Sequence, residues 1–280
     1  MIRSNGSLCL AFALALAATP VLAQETDRKP DSPAVDGKNV LIEQSREVTE
    51  RVDENLQRTE QASDYIRALS RGETVDPLPE DDAPIERLPE IQHPVGDDPD
   101  ALAASLFTDY FNRAIAIQNR YREDLNAVPI GQLLSPSSFT DPSGFDRAHQ
   151  RMAEVRAAFA RMSSNLRTST LMFATTVRKS DLPPSEIAGF NRSFRDGADV
   201  ETAIKHEADV LDQISVIVDL IVRERPKASD DMFLFETDEA VEAYNAELAR
   251  MADLLDKQAQ FARQQQAQQE AATQRLRQAR

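Results

Sequence analysis

Apolar side chains recur at intervals of three and four along several long proline-free runs, and the prolines fall between those runs. That pattern leaves little freedom. Each run forms the apolar stripe of an amphipathic helix, and proline at its ends stops it. Between 36 and 71 the stripe is Leu41, Val48, Val52, Thr59, Ala62, Ile66 and Leu69, close to a heptad, with Gly72 as the stop. From 100 to about 128 it is Leu102, Leu106, Phe107, Tyr110, Phe111, Ala114, Ile117, Tyr121 and Leu125, with Asp100 as the expected N-cap.

A third helix is expected from Ser143, placed as its cap, to Lys179. It carries Phe145, Ala148, Met152, Val155, Phe159, Met162, Leu166, Phe173 and Val177. Pro183 and Pro184 break it, and a shorter helix over about 185–195 follows. Gly197 and Asp199 mark a stop and a new start. Val200, Ile204, Leu211, Ile214, Ile217, Val218 and Ile221 then mark a strongly buried helix that ends at Pro226. Met232 to Phe235 reads as an apolar knot in a loop at one end of a bundle. The last helix starts at Thr237 and uses Val241, Tyr244, Leu248, Met251 and Leu255. Beyond Gln258 it turns rich in Gln, Ala and Arg.

These stripes predict an all-α protein. The expected fold is an elongated antiparallel helical bundle over 100–257, with an N-terminal helical arm (36–71) and a polar C-terminal helical tail (258–280). Tryptophan is absent and glycine is scarce, with 8 residues, which agrees with long helices and disfavours a sheet. Segment 24–35 is polar and expected to be disordered. Residues 72–99 carry Pro77, Pro79, Pro84, Pro89, Pro94 and Pro99 among nine acids and Arg87. Proline stiffness and like-charge repulsion extend such a linker, at about 3.1 Å per residue, to on the order of 80 Å.

The N-terminus reads as a secretory signal: Arg3, an apolar run from Leu8 to Ala18, and small residues Val21 and Ala23 before a cleavage point. The run is short for a spanning helix, and no membrane span is expected after cleavage. Cys9 is the one cysteine and leaves with the signal. An exported chain of this kind, in the periplasm or secreted, has no disulfide or thiolate ligand and folds by burial alone. The net charge is −15, and loss of Arg3 makes it one unit more negative. Nucleic acid and anionic lipid are therefore poor partners.

Neither a phosphate-cradling glycine loop, a His-Glu-x-x-His pair nor a nucleophile elbow is present. His149 lies one turn after Asp146, and His206 one turn before Asp209. Neither matches the paired Glu-x-x-His of di-metal bundles, and no cofactor, metal or catalytic residue is expected. His93 stands near Asp97 and Asp98 in the linker and reads as solvated.

The leading expectation is a non-enzymatic exported scaffold, adaptor or chaperone-like protein of the bacterial cell envelope. It would act through coiled-coil contacts with a protein partner or with itself, along the seam Leu41, Val48, Val52, Ile66 and Leu69. The alternative is a small-molecule, anion-binding or sensor-like module. Its site would be Arg167, Thr168, Thr175 and Arg178 on the third helix.

Overall fold

The structure is a computed structural model that describes residues 56–57, 59–73, 99–128, 133–185, 187–188, 198–229 and 232–278. The expected signal, the segment 24–35, the arm residues Leu41, Val48 and Val52, and most of the acidic linker lie outside the described residues. Helix α1 (59–70) is followed by α2 (Pro99–Asn126), α3 (Ser143–Lys179), α4 (Ala198–Glu224) and α5 (Asp238–Gln278). The fold is all-α, with one two-stranded hairpin among the described residues.

Neighbours in sequence are neighbours in space: α2 packs on α3, α3 on α4 and α4 on α5. Side-chain pairs run in opposite order along each couple, so every contact is antiparallel. Tyr110 and Asp124 of α2 meet Thr170 and Arg161 of α3. His149, Arg156 and Arg167 of α3 meet Asp219, Asp212 and Glu201 of α4. Glu207 and Gln213 of α4 meet Gln258 and Glu247 of α5.

The main core draws on all five helices. On α4, Ile217, Val218 and Ile221 of the expected stripe are fully buried, and so is Val210, which lies outside it. Burying each such side chain contributes about 1.5–3 kcal/mol. A second cluster joins the start of α2 to the end of α3. There Phe173 packs against Phe107 and Tyr110, with ring centroids 5.4 and 4.7 Å apart.

The helix ends show which local signals operate. Gly72 has φ +70°, and the N–H groups of Gly72 and Glu73 donate to Leu69 O and Ala68 O. This closes α1 as a Schellman cap, which needs a left-handed residue that glycine supplies without strain. Thr237 Oγ1 accepts the Ala240 N–H at 3.2 Å and caps α5. Three expected caps are displaced. α2 begins at Pro99, whose fixed φ suits the first helical position, so Asp100 is already inside. At α3 the work expected of Ser143 falls to Asp141. Its carboxylate accepts the Ser143 N–H at 3.1 Å and the Ser143 hydroxyl at 2.8 Å. α4 likewise starts at Ala198, with Asp199 within it.

Met232 to Phe235 is more ordered than a loop knot. Strands β1 (Lys227–Ser229) and β2 (Met232–Leu234) pair antiparallel, with Ala228 opposite Phe233. The hairpin closes one end of the bundle: Phe233 lies 5.3 Å from Phe139 and 5.8 Å from Tyr244, ring to ring. Phe139 belongs to a 3-10 turn (Pro136–Phe139) that lies hard against the first turn of α3. A Cβ on Gly144 would stand 2.1 Å from Ser138 O. Val241, expected inward, is exposed. The last helix crosses residue 257 without a break, and Gln258, Ala259, Ala262 and Gln265 are buried beyond it.

Candidate functional site

Two features of the bundle are not explained by apolar packing alone. The first is the seam between α1 and α5. The helices run antiparallel, with Glu60 paired to Arg263, Ser63 to Asp256 and Arg67 to both Asp253 and Asp256. The Arg67 distances are 3.2 Å to Asp253 and 2.6 Å to Asp256, and the Ser63 hydroxyl also donates to Ala252 O at 3.0 Å. Small side chains let the two helices approach. Leu56, Ala259 and Ala262 form a cluster of their own, and Ala62, Tyr65 and Ile66 join the main core. Partial burial pushes the Asp256 carboxyl up, but the hydrogen bonds from Ser63 and Arg67 outweigh it and leave it below the usual range.

That balance fixes a pH response. Asp256 loses its seam contacts when protonated, so their contribution is present above the unfolded value of 3.8 and disappears as pH falls through the lower folded value. Arg67 is one-third exposed, which limits the worth of its ion pairs. Replacing Arg67 with alanine is expected to cost no more than about 1 kcal/mol, and less in high salt. Urea melts at two ionic strengths would check it. An equal loss at both would show that packing, not charge, dominates there.

The second feature is a polar layer in the core. Glu207 projects from α4 with no exposed surface. The Tyr121 hydroxyl of α2 donates to Glu207 Oε1 at 3.3 Å, and Gln258 Nε2 of α5 donates to Oε2 at 3.1 Å. No ion pair reaches the carboxyl from the described residues. Burial drives it up to about 8, against the opposing effect of the two donors. Beside it on α4, desolvation holds His206 below its ordinary value, and the ring rests 5.3 Å from that of Phe261.

The residues singled out from sequence fall elsewhere. Ile66 is 2 % exposed, and Leu69 packs against the same core, so both face the chain's own bundle. Of the same stripe Thr59 and Ala62 are buried as well, while Leu41, Val48 and Val52 lie outside the described residues.

The Arg/Thr cluster does not converge. Arg167 is tied to Glu201 through two hydrogen bonds of 2.8 and 2.9 Å. Thr168 and Thr175 donate to Ser164 O and Leu171 O one turn back, and Arg178 Nε donates to Ala174 O. All four are exposed, and Leu171 between them is 66 % exposed. A helix hydroxyl that bonds its own backbone has less to offer an anion.

His149 reaches Asp219 at 3.1 Å rather than Asp146. Asp219 and His206 stand on one helix about 20 Å apart at 1.5 Å per residue, so the two histidines share no site. Among the described residues there is no group of three His, Cys, Asp or Glu placed to hold a metal ion. None of the described helices is long and apolar enough to cross a membrane. A depression beside Asp109, Asn112, Arg113 and Ala116 on α2 is open to solvent.

Sequence reasoning passed over Glu207, although a signal was present. The α4 stripe runs 200, 204, 207, 211, 214, 218 and 221, alternating steps of four and three. Glu207 occupies one position of that seam. A charged residue in register with an apolar seam is a buried carboxyl by geometry.

The described residues thus define an antiparallel all-α bundle with a polar layer in its core and a short helix docked along α5. Comparison with protein-family models, with curated proteins and with solved structures finds no match for this chain.

Proposed function

We propose that this chain is a non-enzymatic, exported helical scaffold or adaptor of the bacterial cell envelope that works through helix-to-helix protein contacts. The observation that carries the reading is the docking of α1 along α5. A short helix that buries Tyr65 and Ile66 in the core and carries ion pairs along its seam with α5 precedes a long acidic, proline-rich segment. Its exposed ion pairs contribute modestly to stability. A second helix of similar pattern can form the same type of contact, as in helix-in-groove recognition. The secretory pattern of residues 1–23 supports export, and the strong net negative charge argues for a protein partner over nucleic acid.

The test is site-specific photo-crosslinking in intact cells. The probe replaces Asp64, exposed on α1, or Asp253, half of an exposed ion pair on α5. The expected result is a discrete adduct with one envelope protein or with a second copy. It should form from a chain whose N-terminus is Gln24 and vanish when residues 24–99 are deleted. A chain that keeps residues 1–23 in the cytoplasm, or that yields no discrete adduct from either position, would contradict the proposal.

A further inference from the structure

We propose that Glu207 is a proton-binding site that locks the junction of α2, α4 and α5: as a neutral acid it holds the layer closed, and its ionisation loosens it. Glu207 occupies an apolar seam position, has no exposed surface, and bridges α2 and α5 through two neutral groups, Tyr121 and Gln258. An ionised carboxylate in such a place carries a large desolvation penalty unless a cation compensates it.

Among the described residues, no neighbouring element supplies that cation to it. The buried residues of α3 include no titratable side chain. From α2 the facing group is the phenol of Tyr121, which burial and Glu207 itself hold well above its ordinary value. Arg122 follows Tyr121 and is itself buried, but forms no ion pair with Glu207. On α5, Gln258 is neutral, and Lys257 beside it acts on His206 instead. On α4, Lys205 is tied to Asp209 at 2.5 Å, and His206 is held toward its neutral form. On α1, Glu60 and Arg67 pair with α5 on the exposed seam, and Asp64 is exposed.

The sign of the pH effect follows. The carboxyl goes from 4.5 unfolded to about 8 folded. Across that window the folded chain holds one proton more than the unfolded chain. Stability from this site is complete below 4.5, falls as pH rises, and is gone above 8. His206 is shifted down, so it acts in the opposite direction, mostly below its ordinary value of 6.5 and by no more than about twofold above it. Carboxylates held low, such as Asp256 and Glu201, act near pH 4 and below. Between 6.5 and 8 the larger change therefore comes from Glu207.

The experiment is urea unfolding of the full mature chain at pH 6.5 and 8, for the wild type and Glu207→Gln, with infrared spectra of both. The wild-type folding constant is expected to fall on the order of tenfold over that interval, while that of Glu207→Gln, which keeps the shape without the charge, does not fall and rises by no more than about twofold through His206. A protonated carboxylic C=O band should be present in the wild type at pH 6.5, fade around pH 8 and be absent from the variant. A flat wild-type profile, an unchanged slope in the variant, or no such band at pH 6.5 would each overturn the proposal. Should the variant not fold, the wild-type band and slope decide alone.

Discussion

Replacing Gly144 with alanine is expected to destabilise the fold by about 3 kcal/mol or more. In an open helix that change is favourable by up to about 1 kcal/mol. Here the added methyl would stand 2.1 Å from Ser138 O and 3.0 Å from Phe139 Cα. Both are backbone atoms, so no side-chain rotation relieves the clash. The 3-10 turn must move away from α3, and Phe139 must leave its contacts with Phe145 and Phe233, each 5.3 Å distant. Thermal and urea melts check this. A variant as stable as the wild type would mean that the turn does not press on the first turn of α3.

Truncating Phe173 to alanine is expected to cost about 3–5 kcal/mol, the range for a buried aromatic whose site cannot fully collapse. The ring is 1 % exposed and holds together the second core, where α2 begins and α3 ends. Its loss also removes the tilted ring contacts to Phe107 and Tyr110, which add to simple burial. The melting midpoint should fall by roughly 10 °C for a folded unit of this size. Phe173→Leu should lose much less. Equal losses for the two variants would indicate a specific aromatic role in place of volume. A negligible loss for alanine would remove the second core from the account.

Most of the fold was legible because one rule, apolar spacing of three and four, governs it. The α3 and α4 stripes are buried almost residue for residue, from Phe145 to Val177 and from Ile204 to Ile221. Gly72 and Thr237 were legible as a stop and a start because their roles are local. The cap of α3 was not, because Asp141 and Ser143 both suit it and only the path of the chain decides. The hairpin escaped notice because three-residue strands are shorter than any reliable alternation.

The candidate sites were less legible. A stripe shows that a face is covered, not by which chain, so Ile66 and Leu69 pointed equally to a partner and to α5. The Arg/Thr cluster read as convergent because a sequence does not show that Thr168 and Thr175 turn back to their own helix. Glu207 was less legible because a charged residue ordinarily marks a solvated helix face, and only its register with the seam places it inside.

The central claim is that α1 folds back along α5 of its own chain. It is tested most directly by electron-electron distance measurement between spin labels at Asp64 and Lys257, with labelled chains diluted in a large excess of unlabelled ones. Cys9 is the one cysteine of the sequence, so once it is replaced both label sites can be introduced cleanly. The account predicts one short, narrow distance, as for adjacent helices whose axes lie about 8–10 Å apart, unchanged by dilution. A broad, long distribution, or a short distance that disappears on dilution, would contradict it.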